Sequence, residues 1–178
     1  QGKMAKSEGN FITLQVLKNK GFSPLAYRYL CLTAHYRSKL NFSWESLAGA
    51  QNAYGNLLDI IAGLLKSIVK SQLSKVKDTV SFKEKFIDYI NDDLNTPQAL
   101  ALLWEVLKNK DLSALTKLKL VKKFDAVLGL DLLEMAKARA KANLAIPAQI
   151  KQLAQERWDK KQAGKYREAD ALRLELAQ

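Results

Sequence analysis

Apolar residues recur along this chain at steps of three and four, the spacing that lines one face of an α-helix. The clearest run starts after Ser43: Trp44, Leu47, Tyr54, Leu58, Ile61, Leu65 and Ile68 follow that rhythm, with one polar interruption at Gln51. Leu57 and Leu64 widen the stripe, and the pattern predicts a helix from Trp44 to Leu73 capped by Ser43. Such a helix is about 45 Å long. Gly55 and Gly63 weaken it locally, so packing must hold it. Before it, the pattern predicts a short helix over Leu14–Asn19 ended by Gly21. A second starts at Ser23-Pro24 and runs toward Tyr36, with Ser38 to Phe42 extended.

The second half is punctuated the same way. Lys75 to Thr79 reads as a linker, and Ser81 with Glu84 forms a capping-box pattern before a helix that offers Phe82, Phe86, Ile87 and Ile90 to a core. Asn91-Asp92-Asp93 stops that helix. Thr96-Pro97 starts the next, with Leu100, Leu103, Trp104 and Leu107 inward. Further helices are expected over Ser113 to Val127, stopped by Gly129, and over Leu132 to Lys141. Beyond Ile146-Pro147, a final pair covers Ala148 to Gln162 and Lys165 to Leu176, with Gly164 as the turn. No strand-period segment exceeds a few residues. The fold class is therefore mainly α: an antiparallel helical bundle from Ser43 onward, with a small mixed element up to Phe42.

Composition agrees and adds one clue. With 48% hydrophobic and 26% charged residues in 178, the chain is globular, and 8 Gly with 3 Pro leave few helix breakers. Its longest apolar stretch, Leu57 to Leu65, is interrupted by Asp59 and too short to span a bilayer. No leader pattern opens it, and a lone Cys31 excludes an intramolecular disulfide, both consistent with a cytoplasmic location. One Cys and one His cannot build a Cys/His zinc site. The formal charge of +11 favours a polyanionic partner, although a lysine-rich solubilising surface gives the same number.

The chemistry begins at Lys3-Met4-Ala5-Lys6-Ser7-Glu8-Gly9-Asn10. Two lysines, a serine and a nearby glycine suit a mobile loop that sets ammonium groups against phosphate oxygens, though a polar chain terminus has the same composition. Lys3 to Ser7 resembles the Lys-Met-Ser-Lys-Ser loop of class I aminoacyl-tRNA synthetases, with Ala5 where serine is usual. Downstream, His35-Tyr36-Arg37-Ser38-Lys39-Leu40-Asn41-Phe42-Ser43 is similar to a run specific to cysteinyl-tRNA synthetases. Asp92-Asp93-Leu94-Asn95-Thr96-Pro97-Gln98-Ala99-Leu100 resembles that family's bundle segment. Ile146-Pro147, Arg157 and Ala169 to Arg173 resemble its last helices. The resemblance runs in order along essentially the whole chain.

That resemblance implies an enzyme that makes cysteinyl-adenylate from ATP and cysteine and passes the cysteine to its tRNA. Lys6, with Ser7, falls where the family binds ATP phosphates. Lys6 matches the motif's second lysine, which stabilises the departing pyrophosphate, and Lys3 matches the first; the resemblance makes both candidate catalytic residues, and Ala5 puts loop closure in question. The nucleotide-binding fold and the zinc ligands of the family have no counterpart here. ATP, magnesium and zinc are thus expected of the full-length enzyme, and a catalytically silent, monomeric, tRNA-docking piece of this chain. Residues 1–42 then form the signature loop and stem-contact region, and 43–178 the tRNA-binding bundle, with its last helix pair at 147–177. Candidate tRNA contacts are Arg37 and Lys39, then Arg157, Lys160, Lys161, Lys165 and Arg167 around the Gly164 turn. Lys137, Arg139 and Lys141 lie near them in sequence. Acidic residues interleave with these cations, and Asp170 is expected to pair with Arg173. His35 is expected to be a packed, hydrogen-bonded helix residue and Trp158 either core or a stacking platform. Two other readings remain: a cysteine ligase of mycothiol biosynthesis, which needs no tRNA, and a helical protein-interaction module, which predicts no RNA binding.

Overall fold

The computed structural model describes residues 12–68, 80–144 and 148–176. Among them every regular element is a helix, and no strand occurs. Residues up to Arg139 form one compact unit and those from Ala140 a second. Lys3, Ala5, Lys6, Ser7 and the Lys75 to Thr79 linker lie outside the described residues.

The first unit opens with α1 (Leu14–Asn19), capped by the Thr13 hydroxyl, and α2 (Pro24–Leu32), capped by Ser23 with proline in its first turn. Among the described residues, the stretch 12–43 is thus helical with loops rather than mixed. α3 (Trp44–Ile68) begins at a reciprocal serine cap: Ser46 N–H donates to Ser43 Oγ, and Ser43 N–H donates to Ser46 Oγ, each at 3.0 Å. Gln51, the polar gap in the α3 stripe, is a tether. Its Oε1 accepts from Ser23 N–H at 2.8 Å and its Nε2 donates to the Gly21 carbonyl at 3.4 Å, so one side chain holds the α1–α2 turn against α3. Phe42 meets Trp44 edge-on at 5.3 Å, and Phe22 stacks on the same indole at 5.8 Å.

α4 (Val80–Asn91), α5 (Thr96–Lys108) and α6 (Ala114–Leu128) complete the core with α3. A short link turns α5 back on α4, and both pack on α6, which also contacts α3. Leu47, Leu57, Ile61, Leu103, Val106, Leu120 and Val121 on these helices are fully buried. Two sequence expectations shift here. α4 already includes Val80, which puts Ser81 inside the first turn rather than at the cap. α5 is capped by Asn95, whose Oδ1 accepts from Gln98 N–H at 3.4 Å, so Thr96 and Pro97 are its first two helical residues. A third concerns packing: Phe86 is buried and stacks on Phe124 at 4.1 Å, whereas Ile87 is 54% exposed. It lies with Ile90, Val127, Lys83 and Lys123 along a groove of about 350 Å³ between α4 and α6.

The link from α6 to α7 (Leu132–Leu144) is tied by side chains from α2, α3 and α6. Gly129 ends α6 in the left-handed region at φ 64°, and Asp131 follows at φ 53°. Asp125 Oδ1 accepts from Leu130 N–H at 2.8 Å and its Oδ2 from Leu132 N–H at 2.7 Å. From α2, Arg28 Nε donates to the Leu128 carbonyl at 2.7 Å; from α3, Tyr54 Oη donates to the Leu130 carbonyl at 2.8 Å. Burial and the nearby Asp125 and Asp131 carboxylates push the Tyr54 phenol far up, so it stays a donor. Leu128, Leu130 and Leu132 are all fully buried as a result.

The second unit contains α8 (Ala148–Gln162) and α9 (Tyr166–Glu175), folded on each other about Gly164 at φ 74°. Ala169 is buried at their contact, where a small side chain lets the helices approach.

Candidate nucleic-acid interface

Three residues of the cysteinyl-type run converge on one residue of the bundle. α2 ends at Leu32, earlier than its sequence pattern predicts, so His35, Tyr36 and Arg37 fall in the following turn and not on a helix. That turn meets the α4–α5 corner at Asp93. His35 Nε2 donates to the Asp93 carbonyl at 2.9 Å, and Arg37 N–H donates to His35 Nδ1 at 3.3 Å. These two bonds together require the neutral imidazole with its proton on Nε2. Tyr36 Oη donates to Asp93 Oδ1 at 2.7 Å and accepts from Arg37 Nε at 2.8 Å. The bond to Asp93 raises the Tyr36 phenol above its ordinary value, outweighing the opposing bond from Arg37.

Arg37 is the outermost member, with its side chain 69% exposed. Its Nη2 lies 3.3 Å from Asp93 Oδ1 and its guanidinium carbon 5.3 Å from the Tyr36 ring centroid. Nε and Nη2 are thereby engaged, and among the described residues Nη1 meets no acceptor. Lys39, two residues on, is exposed. The corner that supports them is unusual: Asp93 and Leu94 are consecutive non-glycine residues at φ 50° and 54°. This left-handed pair lets Asn95 N–H reach back to the Tyr89 carbonyl at 2.9 Å, closing α4, while the Asp93 carbonyl is freed for His35.

The remaining candidates lie in the second unit. Lys160 pairs with Glu168, and Lys165 stands 3.8 Å from the same carboxylate. The bond from Lys160 holds Glu168 below the usual carboxylate range, so both cations are already partly neutralised. Lys161 and Arg167 are exposed and form no ion pair among the described residues. Arg157 is half-buried, and its Nε is shielded from water with no hydrogen-bond partner. Among the described residues Asp170 and Arg173 do not pair with one another, against expectation. Trp158 is 56% exposed and Tyr166 64% exposed, so the turn carries aromatic faces as well as charge.

Other cations are spent on structure. Arg139 makes a bidentate bond to Asp59, Nε to Oδ1 at 2.6 Å and Nη2 to Oδ2 at 2.9 Å, which raises its pKa and ties α7 to α3. Lys137 pairs with Glu134 at 2.7 Å. Among the described residues no group of three or more His, Cys, Asp or Glu could hold a metal ion, and no helix is long and apolar enough to cross a membrane. Asp93 is the residue sequence reasoning undervalued. Its signal was the double acid at a helix stop, with nothing local to name its partners.

Residues 85–134 match the DALR domain family, a span that includes both the Asp93 corner and the Asp125 turn. The chain is 39% identical over 175 residues to cysteine–tRNA ligase 1 of Burkholderia lata, covering 98% of this chain and 34% of that protein. It is 36% identical to the cysteine–tRNA ligase of Treponema denticola over 99% of this chain and 40% of the relative. With the Borrelia turicatae cysteine–tRNA ligase, identity is 44% over 74% of this chain and 29% of the relative. The chain thus spans between 29% and 40% of the length of these relatives. The chain is therefore a homologue of a C-terminal, DALR-containing part of cysteine–tRNA ligases.

Proposed function

We propose that this chain is the tRNA-docking part of a cysteine–tRNA ligase, which forms cysteinyl-adenylate from ATP and cysteine and transfers cysteine to its tRNA. The observation that carries this reading is the similarity to cysteine–tRNA ligases along nearly the whole chain. The geometry supports it in kind. RNA is gripped through its phosphates, and that calls for exposed cations held in fixed positions. Arg37 meets that description in the first unit, with Lys39 exposed beside it; Lys161 and Arg167 add exposed charge in the second, flanked by Trp158 and Tyr166 as surfaces for base stacking. Lys160, Lys165 and Arg157 contribute less, since their charge or their volume is already engaged. In this reading residues 1–42 are the signature loop and stem-contact region, and 43–178 the docking bundle. Lys3, Lys6 and Ser7 belong to the ATP loop, where lysine ammonium groups stabilise charge on departing pyrophosphate. Magnesium would accompany ATP, and zinc would be held by other parts of the enzyme.

Filter binding of a cysteine tRNA transcript at two salt concentrations tests the proposal. Binding with a steep salt dependence is expected, and Arg37→Ala should flatten the log–log slope by roughly one unit. A chain that binds no tRNA at low salt refutes it and favours the tRNA-independent ligase or an interaction module. The 178-residue chain alone is expected to show no cysteine-dependent ATP–pyrophosphate exchange.

A further inference from the structure

We propose that Asp93 is the positioning residue of the Arg37 contact: it fixes the guanidinium through Tyr36 and leaves the Nη1 donors for an RNA phosphate. The inference rests on the RNA-docking reading of Arg37 and deepens it.

An arginine on a loop loses rotamer freedom when it binds a phosphate, and a side chain already held in place loses less. Here a carboxylate and a phenol do the holding. Asp93 Oδ1 accepts from Tyr36 Oη at 2.7 Å, Tyr36 Oη accepts from Arg37 Nε at 2.8 Å, and Nη2 lies 3.3 Å from the same Oδ1. The Asp93 carbonyl anchors the turn itself through His35 Nε2. A guanidinium offers five N–H donors in a plane, so fixing one edge orients the other. Asp93 is 57 residues from Tyr36 in sequence and sits at φ 50°, so a helix end is spent on presenting one carboxylate to one turn.

The simple electrostatic expectation is opposite in sign. A carboxylate beside Arg37 repels phosphate, and its removal should tighten RNA binding. Positioning predicts that removal weakens it, and the sign separates the two.

The test uses the full chain and a cysteine tRNA transcript in filter binding, with Asp93→Gly, Asp93→Asn, Arg37→Ala and the Asp93→Gly/Arg37→Ala double variant. Glycine and asparagine both accept positive φ, so neither change forces the corner to refold. Asp93→Gly is expected to weaken binding about fivefold to tenfold in the parent and less than twofold in the Arg37→Ala background, because Asp93 acts through Arg37. Asp93→Asn, which keeps the acceptor for Tyr36, should recover most of the affinity. The salt slope should be unchanged in Asp93→Gly and flatter by about one unit in Arg37→Ala. Tighter binding by Asp93→Gly, or an equal loss in both backgrounds, overturns the proposal while leaving Arg37 as a phosphate contact. No effect of Arg37→Ala overturns the role of Arg37 itself, and that of Asp93 with it.

Discussion

Replacing Asp125 with alanine should be among the most damaging single changes to the first unit, although Asp125 is only half-buried and touches no candidate RNA contact. Its two carboxylate oxygens accept from Leu130 N–H at 2.8 Å and Leu132 N–H at 2.7 Å. The second is a first-turn donor of α7, one of the amides that a helix cannot satisfy internally. Leu130 and Leu132 are fully buried, so water is poorly placed to replace the carboxylate. Hydrogen bonds to a charged group contribute about 1.5–3 kcal/mol each, and an N-terminal cap about 0.5–2 kcal/mol. Because the two bonds share one carboxylate, the lower ends are appropriate, giving a loss of about 3 kcal/mol. For a chain of this size that corresponds to a Tm lower by roughly 6–12 °C. Urea unfolding followed by far-ultraviolet circular dichroism gives the energy, and amide exchange at Leu130 and Leu132 gives the site. Asp131→Asn is the control: it removes a neighbouring charge, keeps a residue that tolerates φ 53°, and breaks no side-chain bond seen here. It should change stability by less than about 1 kcal/mol. If Asp125→Ala matches that control, and the two amides exchange no faster, the turn is held by packing alone and the capping argument fails.

Other outcomes follow from the same geometry. Gly129→Ala should destabilise by about 2–3 kcal/mol in urea unfolding, because φ is 64° and the new methyl would lie 2.7 Å from Arg28 Nη2. Arg28→Ala should relieve only the steric part, leaving the pair less than additive. Lys117 is buried, donates to the Leu107 carbonyl at 2.9 Å at the end of α5, and has its pKa lowered by that burial. The unfolded chain therefore holds this proton to higher pH than the folded one, and stability should rise with pH between the lowered value and the ordinary lysine value. Lys117→Met should lose that alkaline gain relative to the parent, as measured by urea midpoints from pH 7 to 10. It should also lose about 1 kcal/mol from the unpaired carbonyl. Finally, Lys161→Ala/Arg167→Ala should flatten the salt dependence of tRNA binding by about two units, and Lys160→Ala by less than one, because Glu168 already neutralises Lys160.

Local chemistry was legible where the chain marks its own helix ends. Ser113 and Gly129 bracket α6, and Gly164 separates α8 from α9, where a cap oxygen or a positive φ acts within a few residues. The break in the α3 stripe at Gln51 was also visible, but its meaning was not: its partners, Ser23 and Gly21, lie in an earlier turn. Asn95 and Thr96 are both competent α5 caps by sequence, and the backbone at the Asp93 corner selects Asn95. Periodicity places Ile87 on the core stripe, but it reports a face and not what covers it; Phe86 and Phe124 close the core beneath it. The convergence on Asp93 could not be derived from spacing at all. It joins positions 57 and 58 residues apart, and only the tertiary fold makes them neighbours.

The charge illustrates the same division. A formal +11 invites the view that any lysine on this surface can meet a phosphate. The structure assigns several cations elsewhere: Arg28 to the Leu128 carbonyl, Lys117 to the end of α5, Arg139 to Asp59 and Lys160 to Glu168. A cation committed to a carboxylate must give up that partner before it binds RNA, so its contribution to affinity is a difference between two similar bonds. Arg37 differs in kind. Its ties to Tyr36 and Asp93 occupy Nε and Nη2, and they leave another edge of the same guanidinium for a second anion. Lysine, with one point charge and no fixed plane, cannot divide its donors this way. Arg37→Lys should therefore preserve most of the salt slope while losing much of the affinity that alanine loses, which distinguishes a positioned fork from a charge that happens to be near.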